Sequence, residues 1–227
     1  MNNSNWWNKD NIELYHSYFS LIKVALLKLE NFFEVFGFDS ILLKLKIVIE
    51  NDNNEISFDL LKTLISKYTL DNLGTINLQE MFKLLVLSIP KTQIKNNFSK
   101  HFLIFICQFI IIYDATILLE CLEINENLGI TEKFLIRDFD QIYKIDTYLM
   151  MKTVMYGISK LINEEYNYFS EDFLKKITIK LTDLARKMGE SKTTRNKNVD
   201  MTQFESGKVH ALLNAEVNVF TIYKYIG

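Results

Sequence analysis

The chain is short of the residues that punctuate a fold. One proline and seven glycines serve 227 residues. Sandwiches and barrels need frequent turns built from those residues, so their scarcity disfavours an all-β architecture and favours long helices with short connections. Cysteine is scarce too. Cys107 and Cys121 are the only two, which is too few for a disulfide framework. On one helix they would lie roughly 21 Å apart, well beyond the about 7 Å between Cα atoms that a disulfide spans. The chain has three histidines, and no Gly-x-Ser-x-Gly, Cys-x-x-Cys or His-Glu-x-x-His motif. An acid–base enzyme would therefore have to rest on carboxylates or tyrosine. Net charge is −2 and pI about 6.0, so bulk charge does not mark a nucleic-acid binder. The opening MNNSNWWNKDN lacks a basic region followed by an apolar one, so the expected compartment is the cytoplasm or another intracellular space.

What the chain does have is a greasy middle. Residues 102–122 read FLIFICQFIIIYDATILLECL, and from Phe102 to Tyr113 only Gln108 interrupts the apolar run. This is shorter than the ~20 residues a membrane-spanning helix needs. Asp114 and Glu120 follow it, and ionised carboxylates cost roughly 2.5–3.5 kcal/mol near a bilayer centre. The expected reading is a helix buried inside a globular bundle, apolar on every side because neighbours cover it. Membrane association is not expected.

Amphipathic segments surround that run. Asp10 and Glu13 read as a capping box and Gly37 as a helix stop, with one long helix between them. Leu14, Tyr18, Leu21, Ala25, Leu29, Phe32 and Phe36 supply its core stripe. Residues 43–50 alternate in a strand-like way, as does the β-branched and aromatic tail 216–226, so one minor two-stranded pairing is allowed for. Ser57 is expected to cap a helix ending before Gly74, and Asn77 with Glu80 to cap one stopping at Pro90. The central helix should begin near Thr92 and end near Gly129. Asp146 should cap the next, and Ser170 the one that runs to Met188 before Gly189. Residues 190–207 are polar and read as a flexible loop. The fold class expected is all-α, a multi-helix globular bundle around a central apolar helix, in a single domain over residues 1–227.

Several fragments look chemical and fail on their parts. Residues 69–80 match the second half of a calcium-binding EF-hand loop at Gly74, Ile76 and Glu80, but Leu73 stands where an oxygen ligand is required. Glu13 and His16 have the Glu-x-x-His spacing of di-iron bundles, which need that motif twice. GESKTT at 189–194 lacks the Gly-Lys of a phosphate-binding loop. Arg195-Asn196 resembles the start of the Arg-Asn-x-x-x-His signature of helical HEPN ribonucleases, with Asp200 in place of the histidine, and implies no activity. Cys107, Asp114 and Cys121 are spaced seven apart on one helix face, too far along the axis to share a metal ion. No metal or cofactor is expected. Asp114, with Glu120 nearby, is the best single candidate for a functional acid.

Charge distribution says more. Residues 175–197 hold eight basic and two acidic residues, and 114–140 hold seven acidic and two basic. Lys180, Arg186, Lys187, Lys192, Arg195 and Lys197 form a candidate surface for an anionic partner, against the reading of a solvated helix face. Asn, Lys, Ile, Phe and Tyr abound while arginine is rare, a pattern typical of AT-rich coding, so lysine content alone carries little weight. Trp6 and Trp7 are the only tryptophans and share one polar segment. They read as a lid on the core or as an anchor for a partner. The leading expectation is a non-enzymatic interaction or regulatory protein that meets a protein partner through helical surfaces. A helical protein associated with nucleic acid or phosphate through 175–197 is the alternative, and an enzyme with a carboxylate-centred site near Asp114 the second alternative.

Overall fold

A computed structural model describes residues 12–50, 54–92, 96–122, 131–132, 135–136 and 147–193. Among them are ten α-helices, one short 3-10 turn and no strand, an all-α fold as the sequence implied. The helices are α1 (Ile12–Lys28), α2 (Phe32–Phe36), α3 (Phe38–Glu50), α4 (Asn54–Lys67), α5 (Leu70–Leu73), α6 (Thr75–Thr92), α7 (Asn96–Ile112), α8 (Ala115–Leu122), α9 (Tyr148–Glu164) and α10 (Glu171–Thr193). The chain groups into two compact units, Met1–Phe102 and Leu103–Gly227.

In the first unit α1 packs on α4, and α3 packs on both α4 and α6. The face that α1 buries is Tyr15, Phe19, Ile22 and Leu26. That is one residue out of register with the stripe expected from sequence, of which Leu14, Leu21 and Leu29 are exposed. Burying two aromatic rings removes more apolar area from water than burying the leucines beside them, so the aromatic stripe takes the inside. The expected single helix to Phe36 is also broken, at Leu29–Asn31. Lys67 reaches across from the end of α4 and donates to the carbonyls of Leu26 and, at 2.7 Å, Leu29. These are carbonyls that a helix end leaves open, and a lysine there suits the helix dipole. The break lets α2 start afresh, with Phe32 buried and stacked on Phe36 at 4.9 Å.

Residues 43–50 are helical in α3, which corrects the strand-like reading. Ile41, Leu42, Leu45, Val48 and Ile49 are buried at helical spacing while Leu43 is exposed, so the period of 3.6 prevails over the alternation. The tail 216–226 lies outside the described residues. Gly37 and Gly74 do stop helices, with φ of 68° and 74° in the left-handed region that favours glycine. The Gly74 N–H closes α5 on the Leu70 carbonyl at 2.8 Å, and α6 begins at the next residue. Residues 69–80 are therefore the junction of two helices. α6 runs two residues past Pro90 and α4 begins three residues before Ser57, so both expected ends move by less than one turn.

In the second unit α9 packs on α8 and α10. It also meets α7 at one very close point, Gly157 against Cys107. A Cβ on Gly157 would lie 2.6 Å from the Cys107 Cβ and 2.7 Å from its Cα, so only glycine permits this approach. The Cys107 thiol points at the Val154 carbonyl, 3.9 Å away. Residues 101–110 of α7 are all buried, as expected of the apolar run. The run is not one continuous helix, however. It breaks at Tyr113–Asp114 and resumes as α8. Thr147, not Asp146, caps α9, accepting from the Met150 N–H. Ser170 caps α10 as expected, its hydroxyl accepting from the Phe173 N–H at 3.2 Å, and the Glu132 carboxylate holds it in place. α10 buries Phe173, Ile177, Leu181 and Leu184 and continues through Gly189 to Thr193, since that glycine keeps a negative φ. Residues 194–207 lie outside the described residues.

Candidate functional site

α1 carries a second apolar face that the fold leaves outside. Leu21, Val24 and Leu27 are 66%, 55% and 54% exposed, on the half of the helix turned away from Tyr15, Phe19, Ile22 and Leu26. Leu14 lies at the margin of that half and Ser17 and Ser20 between, all exposed. Lys23 at the flank is held by Asp59 of α4 at 2.7 Å, His16 is exposed beside Ser20, and exposed Lys28 closes the same face one turn beyond Val24. A helix at a protein surface ordinarily turns charged and polar residues outward. Scattered exposed leucines need no explanation, but four large aliphatic side chains on one helix face form a contiguous patch of the kind that marks interaction surfaces. The signal was in the sequence. Two apolar stripes one residue apart run along one helix, and one helix of a small unit has room to bury only one.

The expected carboxylate site is built differently. Asp114 does not line a face with Cys107 and Cys121, because the helix is interrupted there. The Asp114 carboxylate accepts from the Thr116 N–H at 2.9 Å and so caps α8. Glu164, at the end of α9, accepts from the Ala115 N–H at 3.3 Å, and Glu165 from the Thr116 hydroxyl at 2.5 Å. On the other side of the break Lys160 donates to the Ile110 carbonyl at 2.7 Å and lies 3.7 Å from Glu164. α9 thus supplies a partner on each side of the break, Glu164 to the Ala115 N–H and Lys160 to the Ile110 carbonyl. Acids on the new N-terminus and a lysine on the old C-terminus match the polarity of the two helix ends. Glu120 is exposed further along α8 and does not join this cluster. Burial pushes the Cys121 thiol up to about 12, helped by the Glu120 charge, and raises Cys107 further, so both stay protonated and unreactive at neutral pH.

The basic segment is partly matched along α10. Lys175 lies 3.7 Å from Glu171, Lys176 2.5 Å from Asp172 and Arg186 3.0 Å from Asp183. Lys180 and Lys187 are half-buried and also interact with their surroundings. The side chain of Lys192, and Arg195 and Lys197, lie outside the described residues, as do Trp6 and Trp7.

One buried titratable group escaped the sequence reading. His101 lies in α7 with its ring parallel to Phe58 of α4, centroids 6.1 Å apart, and its Nδ1 has no hydrogen-bond partner. Burial, with the positive charges of Lys62 and Lys100 beside it, lowers its pKa to about 4. Lys62 is pulled down too, chiefly by burial, against the opposing influence of Asp59 and Glu55. Nothing in the sequence marks this position except its place at the edge of the apolar run. Among the described residues no three His, Cys, Asp or Glu side chains come together as a metal site, and no helix is long and apolar enough to cross a membrane. No family model, curated protein or solved structure matches the chain.

Proposed function

We propose that the protein is a non-enzymatic interaction or regulatory protein that meets a protein partner through the outward face of α1. The observation that carries this reading is the aliphatic row Leu14, Leu21, Val24 and Leu27, exposed on a helix whose opposite face already holds the core. The partner chemistry that fits is an amphipathic helix whose leucine-like side chains interleave with that row, spaced three and four residues apart. Helix-in-groove recognition of this kind draws on apolar burial, at roughly 25 cal/mol per Å² of apolar surface removed from water.

The test compares what co-purifies with the full chain from its own cells when Leu21 and Val24 are both changed to Glu, and when Thr182 on the outward face of α10 is changed to Glu. The reading expects a discrete protein to be lost with the first variant and kept with the second, and to bind the purified chain directly. The same set of proteins with both variants would reject it. The nucleic-acid reading of 175–197 gains no support from α10 itself, where Lys175, Lys176 and Arg186 have acids beside them.

A further inference from the structure

We propose that Lys62, Lys100 and His101 form a binding site for a small tetrahedral oxyanion of the phosphate or sulfate type, taken up together with a proton. The site lies within the first unit and does not depend on the outward face of α1. Three observations support it.

The first is an unanswered nitrogen. His101 is 7% exposed, and its Nδ1 has no hydrogen-bond partner. A buried polar atom left without a partner costs about 1–3 kcal/mol, so it reads as an atom kept for something that binds it.

The second is where that nitrogen sits. The His101 ring lies parallel to Phe58 of α4, centroids 6.1 Å apart. Lys62 follows Phe58 by four residues, which puts the two on one face of α4, one turn apart. Lys100 precedes His101 on α7, and the charges of both lysines act on the imidazole. Phe98 and Phe102 flank the Phe58 ring at 5.4 and 6.1 Å. Surroundings of such low polarity strengthen any attraction between charges held there.

The third is the balance of charge. Two carboxylates, Glu55 and Asp59, share α4 with Lys62 and act on it. Asp59 is held by Lys23 at 2.7 Å, and Glu55 is exposed. Among the described residues neither Lys62 nor Lys100 has an acid at ion-pair distance. Both lysines are partly buried, a condition in which lysine is ordinarily paired.

A tetrahedral anion between the lysines and the imidazole answers all three. It gives two unpaired ammonium groups a counter-charge, and it gives a protonated Nδ1 an oxygen to donate to. The proton follows from the same arrangement. Burial and the two lysines keep the free ring neutral down to about pH 4. An anion placed among them opposes that field, so binding raises the pKa of His101 and takes up a proton. Affinity should therefore increase as pH falls from 7 toward 5.

Sulfate is the probe, because its charge is constant over that range. The measurement is an NMR titration of the imidazoles in the full chain, with chloride at matched ionic strength as the blank. Saturating sulfate should raise the His101 midpoint by about one pH unit or more, which corresponds to roughly tenfold tighter binding by the protonated form. The exposed His16 should not move. Lys62→Met should abolish the shift and weaken sulfate binding by calorimetry at least several-fold, and Lys100→Met should do the same to a smaller extent. Lys176→Met on α10 should change neither. Circular dichroism checks that each variant stays helical. A His101 midpoint indifferent to sulfate would overturn the proposal. So would an equal shift in chloride, which would be screening alone, or sulfate binding that survives both Lys62→Met and Lys100→Met, which would place the ion elsewhere.

Discussion

α1 and α10 are both amphipathic, and their outward faces differ. On α10 the outward charges are Glu171, Asp172, Lys175, Lys176, Asp183 and Arg186, set in three pairs three or four residues apart. Among the described residues Ile179 is the single large aliphatic exposed on that helix. On α1 the same kind of position holds Leu14, Leu21, Val24 and Leu27. Water completes the face of α10, where Lys175, Lys176 and Arg186 are solvated and each has a neighbour of opposite sign. Water does not complete the face of α1. The comparison teaches that burial of one stripe says nothing about a second stripe on the same helix.

The sharpest way to test this contrast is to set the two stripes of α1 against each other. Phe19→Ala removes a side chain from the buried stripe and should cost about 3–5 kcal/mol, because it leaves a cavity where a ring was. Leu21→Ala on the outward stripe should change stability by less than about 0.5 kcal/mol. Denaturant unfolding of the two variants measures the difference, and equal losses would mean that the outward stripe belongs to the core.

The buried histidine gives the next effect. Below pH 6.5 the unfolded chain takes up a proton at His101, which the folded chain refuses until about pH 4. Stability should therefore fall as pH drops through that window, by about 3 kcal/mol at full extent, from the differing proton uptake of the two states. The charged groups around it are Lys62 and Lys100, with Asp59 and Glu55 beside Lys62. His101→Leu should flatten the slope between pH 6.5 and 4, and an unchanged slope would show that His101 is not the group responsible.

Gly157→Ala forces a methyl group into the Cys107 backbone and should destabilise by about 1–3 kcal/mol through overpacking. Changing Cys107 to Gly in the same chain should restore little of that loss, because the Cys107 Cα and carbonyl oxygen stay 2.7 and 2.8 Å from the new Cβ, and full restoration would contradict the contact. Lys67→Met keeps the aliphatic stem and removes the donor to Leu26 and Leu29, for a loss of about 1 kcal/mol in thermal or denaturant unfolding. The smallest effects belong to the finished face. Lys176→Ala and Arg186→Ala should each change stability by less than about 0.5 kcal/mol, since exposed ion pairs contribute little.

Much of this fold was legible in the sequence. The scarcity of proline and glycine pointed to helices, and the run from Phe102 to Tyr113 pointed to a buried one. Ser170, Gly37 and Gly74 marked helix ends because caps and left-handed stops are local chemistry. What was not legible depended on the third dimension. Whether Leu21 or Phe19 faces the core is decided by the helix across from α1. The break at Asp114 is completed by Lys160, Glu164 and Glu165, about fifty residues away, which no local pattern can announce. The strand-like alternation of 43–50 was also a faithful local pattern, overruled because the same residues bury better at helical spacing.

The most direct measurement of the central claim is photo-crosslinking from the two outward faces in the intact chain. One benzophenone side chain is placed at Leu21 on α1 and, separately, at Thr182 on α10, and irradiated in the cells that make the protein. The account predicts discrete adducts from position 21 to an amphipathic helix of another protein, and none from position 182. Equal yields from the two positions, or no adduct from position 21, would contradict it.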